Sequence, residues 1–310
     1  MSDARRGVVS ESLYPFQSRF LDRNGWKLHY IDEGVGDPVV FIHGNPTWSF
    51  FFRKLIVALR GTHRCVALDH IGCGLSDKPP LGEYPYRLAN RVLDLEALLD
   101  SLGIARNATF VMHDWGGMIG MSTACRKPER ISRIVAMNTA AFGLPDGKSF
   151  PRSLHWARNT AIGRWLVLYG NAFCRSAARW CATRETMPPE VKNAYLAPYS
   201  TVQDRVAVLK FVEDIPLEPT HPSFAMIERT ARSLEQFRDR PVFLGWGEKD
   251  FVFDSHFRDE WIRRFPNAEV HSWPDSGHYI LEDRGDELAS LIDGFLDRTK
   301  SKLLGTSGAA

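Results

Sequence analysis

Neither a strong charge of one sign nor a long apolar run occurs in the sequence. Its 310 residues include 39 lysines and arginines against 37 aspartates and glutamates, a formal net charge of +2. This balance, without a basic stripe interleaved with aromatic residues, argues against a nucleic-acid partner. No stretch approaches the roughly 20 apolar residues of a transmembrane segment, and the N-terminal residues lack the apolar run of a secretory signal. We therefore expect a cytoplasmic protein.

Cysteine is scarce, and its spacing fits neither disulfides nor a zinc site. The five cysteines are odd in number, and no two are spaced C-x-x-C. A disulfide framework and a zinc cage are therefore both disfavoured. We expect reduced thiols that pack in the interior, and no bound metal.

Apolar runs that are typical of strands alternate with helical spacing in the first half of the sequence. Strands are predicted over residues 26–33, 38–43, 64–69, 108–113 and 131–138, with a helix over 88–102. Such alternation favours βαβ units and a mostly parallel sheet. Between 139 and 225 the pattern instead predicts several short amphipathic helices. Strand signals resume at 241–246 and 268–272, before a last helix over about 283–298.

These changes of pattern predict one α/β core that is interrupted by a helical cap. Residues 1–138 and 226–298 would form the core, 139–225 the cap, and 299–310 a frayed tail. The cap is rich in aromatic residues, which either fill its own interior or, as a group, line an apolar cavity. The cavity candidates are Trp165, Tyr169 and Phe173.

The segment HDWGG places an aspartate between a predicted strand and a predicted helix. A tight strand-to-helix turn exposes the residue at its apex, here Asp114, and needs small neighbours, here Gly116 and Gly117. The common hydrolase version of this turn has serine at the apex. A carboxylate is already ionised at neutral pH, so it can attack without a base and form a covalent ester. Asp114 is therefore the predicted nucleophile, and the alternative is an aspartate that only caps the helix.

Two later segments supply partners in the chain order nucleophile, acid, histidine. His278 follows the last predicted strand, and Asp250 follows the strand before it. An aspartate at that place holds the imidazole in one tautomer and stabilises its cation. Glu248 and Asp254 are close rivals for the acid. Asn138, at the end of the preceding main strand, cannot ionise, so the acid is expected in the later loop.

The loop HGNPTWS follows the strand that normally supplies half of an oxyanion hole. Its Asn45 offers a side-chain amide N–H, and Trp115 offers an indole N–H. Two neutral donors aimed at one point suit an anion that leaves or develops there, such as a halide or a carboxylate. The alternative for Asn45 is an ordinary Asn-Pro turn.

HGNPTWS at 43–49, DHIGCGLSDKP at 69–79 and HDWGG at 113–117 together resemble the haloalkane dehalogenases. The resemblance extends from about residue 15 to 298 and implies an α/β-hydrolase fold, a mostly parallel sheet flanked by helices with an inserted helical cap. It also implies that Asp114 is the nucleophile, that Asn45 and Trp115 hold the leaving anion, and that His278 with Asp250 activates water. It implies no cofactor.

The segment FVEDIPL at 211–217, followed by HPS at 221–223, narrows the resemblance. It is similar to a branch that contains the third dehalogenase subfamily and the β-lactone decarboxylases of bacterial long-chain olefin biosynthesis. The latter convert cis-3-alkyl-4-alkyl-oxetan-2-ones to cis-alkenes and carbon dioxide. Our leading hypothesis is that this chain catalyses the same reaction. The branch further implies a small hydrophobic substrate with alkyl chains, and an assembly with neighbouring olefin-pathway enzymes.

Three other functions compete with this hypothesis. Haloalkane dehalogenation through an alkyl-enzyme ester is the first alternative. Epoxide hydrolysis is the second, because Tyr169, Tyr195 and Tyr199 could protonate an epoxide, although the pair of Asn45 and Trp115 argues against it. A non-catalytic receptor is the rival from another class, and the complete set of nucleophile, acid and histidine argues against it.

Overall fold

Strands and helices alternate along residues 9–304, the part of the chain that the computed structural model describes. Within it lie eight strands: β1 (Arg19–Arg23), β2 (Trp26–Glu33), β3 (Pro38–Ile42), β4 (Arg64–Leu68), β5 (Ala108–Asp114), β6 (Ile131–Thr139), β7 (Val242–Gly247) and β8 (Glu269–Trp273). The same residues form eleven α-helices: α1 (Arg53–Leu59), α2 (Leu88–Ser101), α3 (Trp115–Arg126), α4 (Arg152–Asn159), α5 (Ala161–Leu168), α6 (Ala172–Trp180), α7 (Pro189–Leu196), α8 (Val206–Glu213), α9 (Phe224–Ser233), α10 (Ser255–Arg264) and α11 (Ile280–Leu304).

The strands form one sheet in the order β1-β2-β4-β3-β5-β6-β7-β8. The pairs β1–β2 and β2–β4 are antiparallel, and the other pairs are parallel. Every residue of β5 and β6 is buried, because helices cover both faces of the sheet. Helices α2 and α3 pack on one face, and α1 and α11 pack on the other. The prediction of a mostly parallel sheet flanked by helices is therefore confirmed.

The sheet topology brings the ends of distant segments together. Since β3, β5, β6, β7 and β8 run parallel, their carboxyl ends meet at one edge of the sheet. In open α/β sheets, ligands bind at this edge. The loops that contain the predicted site residues leave the sheet here.

Helices α4 to α8 form a cap over this edge. They have an apolar interior of their own, built around Tyr199 and Val208. The next helix, α9, belongs to the core, since it packs on α3 and the Thr230 hydroxyl lies 2.8 Å from that of Ser122. The cap boundary predicted at residue 225 thus falls inside the first turn of a core helix.

The last helix is longer than the sequence predicted. It spans Ile280–Leu304 with a kink at Arg284, where the backbone angles are not helical, and it extends past its predicted end at residue 298. Thr299 anchors this extension, because its hydroxyl donates to the Phe295 carbonyl oxygen and accepts from the Arg133 guanidinium, both at under 3 Å (2.7 and 2.8 Å). Part of the predicted tail is therefore helical, and residues 305–310 lie outside the described residues. Between residues 9 and 304, no helix is both long enough and apolar enough to cross a membrane.

Candidate active site

Asp114 lies at the apex of a tight turn between β5 and α3. Its backbone angles are φ +53° and ψ −125°, a conformation that L-residues seldom adopt. The turn is possible because small residues follow it: a Cβ on Gly116 would overlap the Ile42 carbonyl oxygen, and one on Gly117 would lie 2.5 Å from the Ala140 carbonyl oxygen. The motif WGG is thus what allows the chain to present the Asp114 side chain at the edge of the sheet.

The Asp114 carboxylate is buried but hydrogen-bonded to the backbone. Its Oδ1 accepts the Asn45 N–H at 2.5 Å, and the Trp115 backbone N–H also donates to the carboxylate. Burial raises the pKa of Asp114 from 3.8 to about 6, against the lowering effect of His278 and the two amides. At neutral pH the group is consequently a carboxylate with little water around it, a state that suits the predicted role of nucleophile. Gly44 permits this approach, because a Cβ there would overlap Oδ1.

His278 bridges Asp114 and Asp250. Its Nδ1 lies 2.6 Å from Asp250 Oδ2, and its Nε2 lies 3.6 Å from Asp114 Oδ2. Burial alone would lower the pKa of His278, but the charge and hydrogen bond of Asp250 outweigh it and raise this pKa above 6.5. The second oxygen of Asp250 accepts the Val252 N–H at 2.8 Å, which fixes the carboxylate in its loop. The structure thus brings together all three residues predicted as nucleophile, histidine and acid.

The rivals of Asp250 are engaged elsewhere. Glu248 forms an ion pair with Arg258. Asp254 caps α10 by accepting the His256 N–H, and it pairs with Lys148 at 2.7 Å. Neither contacts His278, so Asp250 is the carboxylate that the geometry places in the orienting position.

Asn138 supports the loop that carries Asp250. It sits at the end of β6, with its side-chain oxygen accepting the Gly247 N–H at 2.9 Å and its amide donating to the Gly247 carbonyl oxygen at 3.0 Å. Its Nδ2 is also within 3.4 Å of the Phe253 carbonyl oxygen. The residue that sequence reasoning excluded as an acid therefore anchors the end of β7.

The predicted anion-holding side chains border the same cavity as Asp114. Asn45 Nδ2 donates one hydrogen to the Val208 carbonyl oxygen of α8 at 3.1 Å, which leaves its second hydrogen for a ligand. Among the described residues, the Trp115 indole N–H has no hydrogen-bond partner, and the ring packs against Phe211 at 5.5 Å. Two donors thus remain available beside the nucleophile.

An apolar cavity of about 430 Å³ leads to Asp114, Asn45, Trp115 and His278. Of the three cavity candidates, only Phe173 lines it. Trp165 and Tyr169 do not: they stack on each other at the outer surface, 56% and 58% exposed. Trp156 and Trp180, which belong to the aromatic group of the cap, line it too, and the aromatic residues missed from the sequence are Phe142, Phe150, Phe251 and Phe253.

The error at Trp165 and Tyr169 has a geometric cause. Helix α5 turns Gly163, Leu166 and Val167 to the cavity, a spacing of three and four residues. Trp165 then falls on the opposite face. The spacing of residues along α5 indicates which of them face the cavity, whereas the number of aromatic residues in the cap does not.

His113 is a further residue that sequence reasoning missed. Its Nε2 lies 2.8 Å from the His278 carbonyl oxygen, and the two rings are 4.6 Å apart. Burial holds the pKa of His113 well below its usual value, so it is a neutral ring that donates one hydrogen bond. It positions the backbone of the loop that carries His278. Its place directly before the nucleophile was the available signal.

Among the described residues, no three histidine, cysteine, aspartate or glutamate side chains come together as metal ligands. All five cysteines are free thiols, and all but Cys125 are buried, as expected from their spacing. The polar groups that the structure places beside the cavity include a carboxylate, a histidine and neutral hydrogen-bond donors.

A carboxylate on a strand-to-helix turn, with a histidine and an acid that follow it in the chain, is an arrangement of α/β-hydrolases. The alpha/beta hydrolase fold family matches residues 37–285, and the chain belongs to it. The solved structure of haloalkane dehalogenase DatA from Agrobacterium tumefaciens has a TM-score of 0.80 and 26% identity, covering 91% of this chain and 96% of that chain.

Within the family, the chain is more similar to decarboxylases than to dehalogenases. It is 50% identical to the cis-3-alkyl-4-alkyloxetan-2-one decarboxylase of Shewanella oneidensis, over 94% of this chain and 92% of that protein. Identity to the decarboxylase of the same name from Xanthomonas campestris pv. campestris is 42%, over 92% of this chain and 97% of that protein. Haloalkane dehalogenase 2 of Mycobacterium bovis is 31% identical, over 90% of this chain and 95% of that protein. The resemblance inferred from the motifs is thereby confirmed.

Proposed function

We propose that this chain is a β-lactone decarboxylase, which converts cis-3-alkyl-4-alkyl-oxetan-2-ones to cis-alkenes and carbon dioxide. The observation that carries the proposal is a buried nucleophilic carboxylate at the end of a large apolar cavity, in a chain that is 50% identical to a decarboxylase of these substrates. Alkyl chains suit such a cavity, since each buried CH₂ contributes roughly 0.8 kcal/mol. Dehalogenation is the alternative, because the anion-holding pair suits a halide equally well.

The first step would be attack of Asp114 on the alkyl-bearing ring carbon that is bonded to the ring oxygen, and not on the carbonyl carbon. The new bond joins Asp114 Oδ2 to that carbon, the carbon–oxygen bond of the ring breaks, and its electrons convert the lactone to a free carboxylate. Asn45 and Trp115 would bind this carboxylate through their side-chain N–H groups. Release of ring strain adds driving force.

Attack at the alkyl carbon fits the hydrogen bonds better than attack at the ring carbonyl. An attacked carbonyl needs an oxyanion hole, which in this fold is made of backbone N–H groups. Here the N–H groups of Asn45 and Trp115 already bind the Asp114 carboxylate. An alkyl ester of Asp114 would keep them, because its carbonyl oxygen takes the place of Oδ1.

The second step would be fragmentation of the ester. The bond between the carboxylate and its neighbouring carbon breaks, carbon dioxide leaves, the electron pair forms the double bond, and Asp114 departs as a carboxylate. Inversion in the first step followed by anti elimination in the second gives a cis-alkene from a cis-lactone. His278, 3.6 Å from Asp114 and raised in pKa by Asp250, would stabilise the departing carboxylate in its protonated form. No water enters the product.

The setting of the reaction is part of the proposal. We place it in the cytoplasm, in long-chain olefin biosynthesis, and in an assembly with the neighbouring enzymes of that pathway. The support for this setting is the resemblance of residues 211–217 to enzymes of that pathway, while the identity to the two decarboxylases supports the reaction itself.

The proposal is tested by a single turnover in heavy-oxygen water. With a cis-β-lactone, the expected products are alkene and carbon dioxide, and the Asp114 peptide retains its ordinary mass because its ester is eliminated rather than hydrolysed. A panel of bromoalkanes is the parallel substrate set, and Asp114→Ala is the inactive control. Labelled hydroxy acid as the main product would contradict decarboxylation. An inert lactone alongside brisk turnover of bromoalkanes, with label in Asp114 and in the alcohol, would establish the dehalogenase alternative instead.

A further inference from the structure

The outer surface of α4, α5 and α6 carries large apolar side chains that are open to solvent. Five of them are between 43% and 66% exposed: Trp156, Ile162, Trp165, Tyr169 and Trp180. Helix α5 packs against both α4 and α6, so their outer faces adjoin. Solvent-exposed clusters of this kind mark interaction sites rather than random surface.

The same surface is cationic. Residues 147–184 contain seven lysines and arginines and no aspartate or glutamate. Four of these cations pair with acids outside the segment: Lys148 with Asp254, Arg158 with Glu218, Arg164 with Glu213, and Arg184 with Asp275. Arg152, Arg175 and Arg179 are exposed and have no ion pair within the described part of the chain.

The unpaired arginines and the apolar side chains lie on common faces. Arg152 precedes Trp156 by one helical turn on α4, and Arg175 precedes Arg179 by one turn on α6. The Arg179 guanidinium lies over the Trp180 ring, 5.9 Å from its centroid. We call the eight residues the cap face: Arg152, Trp156, Ile162, Trp165, Tyr169, Arg175, Arg179 and Trp180.

The cap face adjoins the cavity of the candidate active site. Trp156 and Trp180 are exposed at one end and line the apolar cavity at the other. Helix α5 lies between them, with its inner face on the cavity and its outer face in solvent. A surface that binds the cap face would therefore contact two residues that also line the cavity.

We propose that the cap face docks on the surface of an anionic phospholipid bilayer and that substrate enters the cavity from there. Tryptophan and tyrosine are enriched at membrane–water interfaces, where one part of the ring is apolar and the other polar. Arginines at the same level bind anionic headgroups while their stems lie along apolar surface. Lactones with two long alkyl chains partition into lipid, so the delivery of substrate from the bilayer rests on the proposed function. Docking of the protein on the bilayer rests on the cap face alone.

A lipid surface matches both the exposed apolar side chains and the unpaired arginines of the cap face better than a protein partner does. An acidic protein partner would match the arginines but would leave five large apolar side chains against a polar surface. A second copy that docks through the same face would offer these arginines no acidic partner, because the cap face contains no aspartate or glutamate. An anionic bilayer satisfies both features, because charge lies at its surface and apolar chains begin a few ångströms below.

The test is flotation of the full-length protein with vesicles, in the absence of substrate. The wild type should bind vesicles of phosphatidylcholine with phosphatidylglycerol, bind pure phosphatidylcholine far less, and be released by salt. The double variant Arg175→Gln/Arg179→Gln should bind about 25-fold more weakly, since each arginine near such a surface contributes about fivefold. Trp165→Ala/Tyr169→Ala should lose binding even at low salt. Neither pair lines the cavity.

A matched control is Val35→Ser/Arg106→Gln, which removes an exposed apolar residue and an exposed arginine where parallel strands begin, away from the cap. It should bind like the wild type. Equal binding by all variants, or none by the wild type, would overturn the proposal. So would a dimer in light scattering that Trp165→Ala/Tyr169→Ala dissociates without any vesicle binding, because a second copy would then cover the face.

Activity separates this inference from the proposed function. All variants should decarboxylate a short-chain, water-soluble lactone at the wild-type rate, which also reports that they are folded. With a long-chain lactone in anionic vesicles, the two cap-face variants should be at least about tenfold slower, in line with their weaker binding. If the short-chain lactone gives no alkene with the wild type, the proposed function fails while the vesicle result stands. Equal rates on vesicles would contradict delivery from the bilayer.

Discussion

Asp114→Asn should make the protein more stable and inactive. The carboxylate is buried, and burial raises its pKa from 3.8 to about 6. A shift of about two pKa units corresponds to about 3 kcal/mol of unfavourable free energy in the ionised folded state. Asparagine has almost the same shape and no charge. Its substitution should therefore raise the free energy of unfolding at neutral pH by up to about 3 kcal/mol.

The sign of the pH dependence follows from the direction of the shift. Because the folded state binds this proton more tightly than the unfolded state, the penalty is absent below pH 3.8 and complete above about pH 6. The advantage of Asp114→Asn over the wild type should thus grow from about 1 kcal/mol at pH 4.5 to about 3 kcal/mol at pH 7.5. Taking the difference between the two proteins cancels the titration of groups far from the site.

Urea unfolding at the two pH values measures the effect, with intact mass to verify that the introduced amide has not deamidated. Asp69→Asn is the control of opposite sign. That carboxylate is buried too, but His29 at 2.8 Å outweighs burial and holds the pKa of Asp69 below its usual value. Its loss should destabilise the fold at neutral pH. Equal or lower stability of Asp114→Asn at both pH values would refute the argument that the nucleophile is kept in a destabilising environment.

Two further substitutions test the parts of the site that support the nucleophile. Asp250→Asn should reduce turnover by about 10²- to 10⁴-fold, because His278 loses its orienting anion. The control Glu248→Gln should change steady-state turnover less than about threefold. If Asp250→Asn lowered turnover only slightly, Asp250 would not be the orienting acid. Asn138→Ala should lower both urea stability, by about 1–3 kcal/mol, and turnover, since it leaves the Gly247 amide buried without a partner. Unchanged unfolding would show that the loop does not depend on Asn138.

The sheet could be predicted from the sequence because its strands are buried on both faces. Burial of that kind requires continuous apolar runs, which β5 and β6 have. Strand β1, with the sequence RFLDR, escaped prediction because it is a short, mostly exposed edge strand that needs few apolar residues. Its place is fixed by pairing with β2, a contact that no local pattern encodes.

The arrangement of the site could be predicted as far as chain order determines it. The predicted nucleophile, acid and histidine follow β5, β7 and β8, and because these strands are parallel they bring the three residues to one edge whatever the details of packing. The choice among Asp250, Glu248 and Asp254 depended on which side chain the loop turns toward His278, and only coordinates resolve this. The cap was less predictable still, because the orientation of a short helix such as α5 depends on what it packs against.

The chemistry of the substrate, rather than the catalytic residues, decides what happens to an Asp114 ester. An ester formed from a haloalkane has no carboxylate on the neighbouring carbon that could be lost as carbon dioxide and leave its bonding electron pair behind, so it persists until water attacks. An ester formed from a β-lactone carries a carboxylate on that carbon and can fragment within one molecule, without a second reactant. Fragmentation then competes with hydrolysis at an advantage, because proximity is already supplied. The same three residues, Asp114, His278 and Asp250, are therefore compatible with either product. We therefore look for the difference between the two functions in the lining of the cavity and in the cap face.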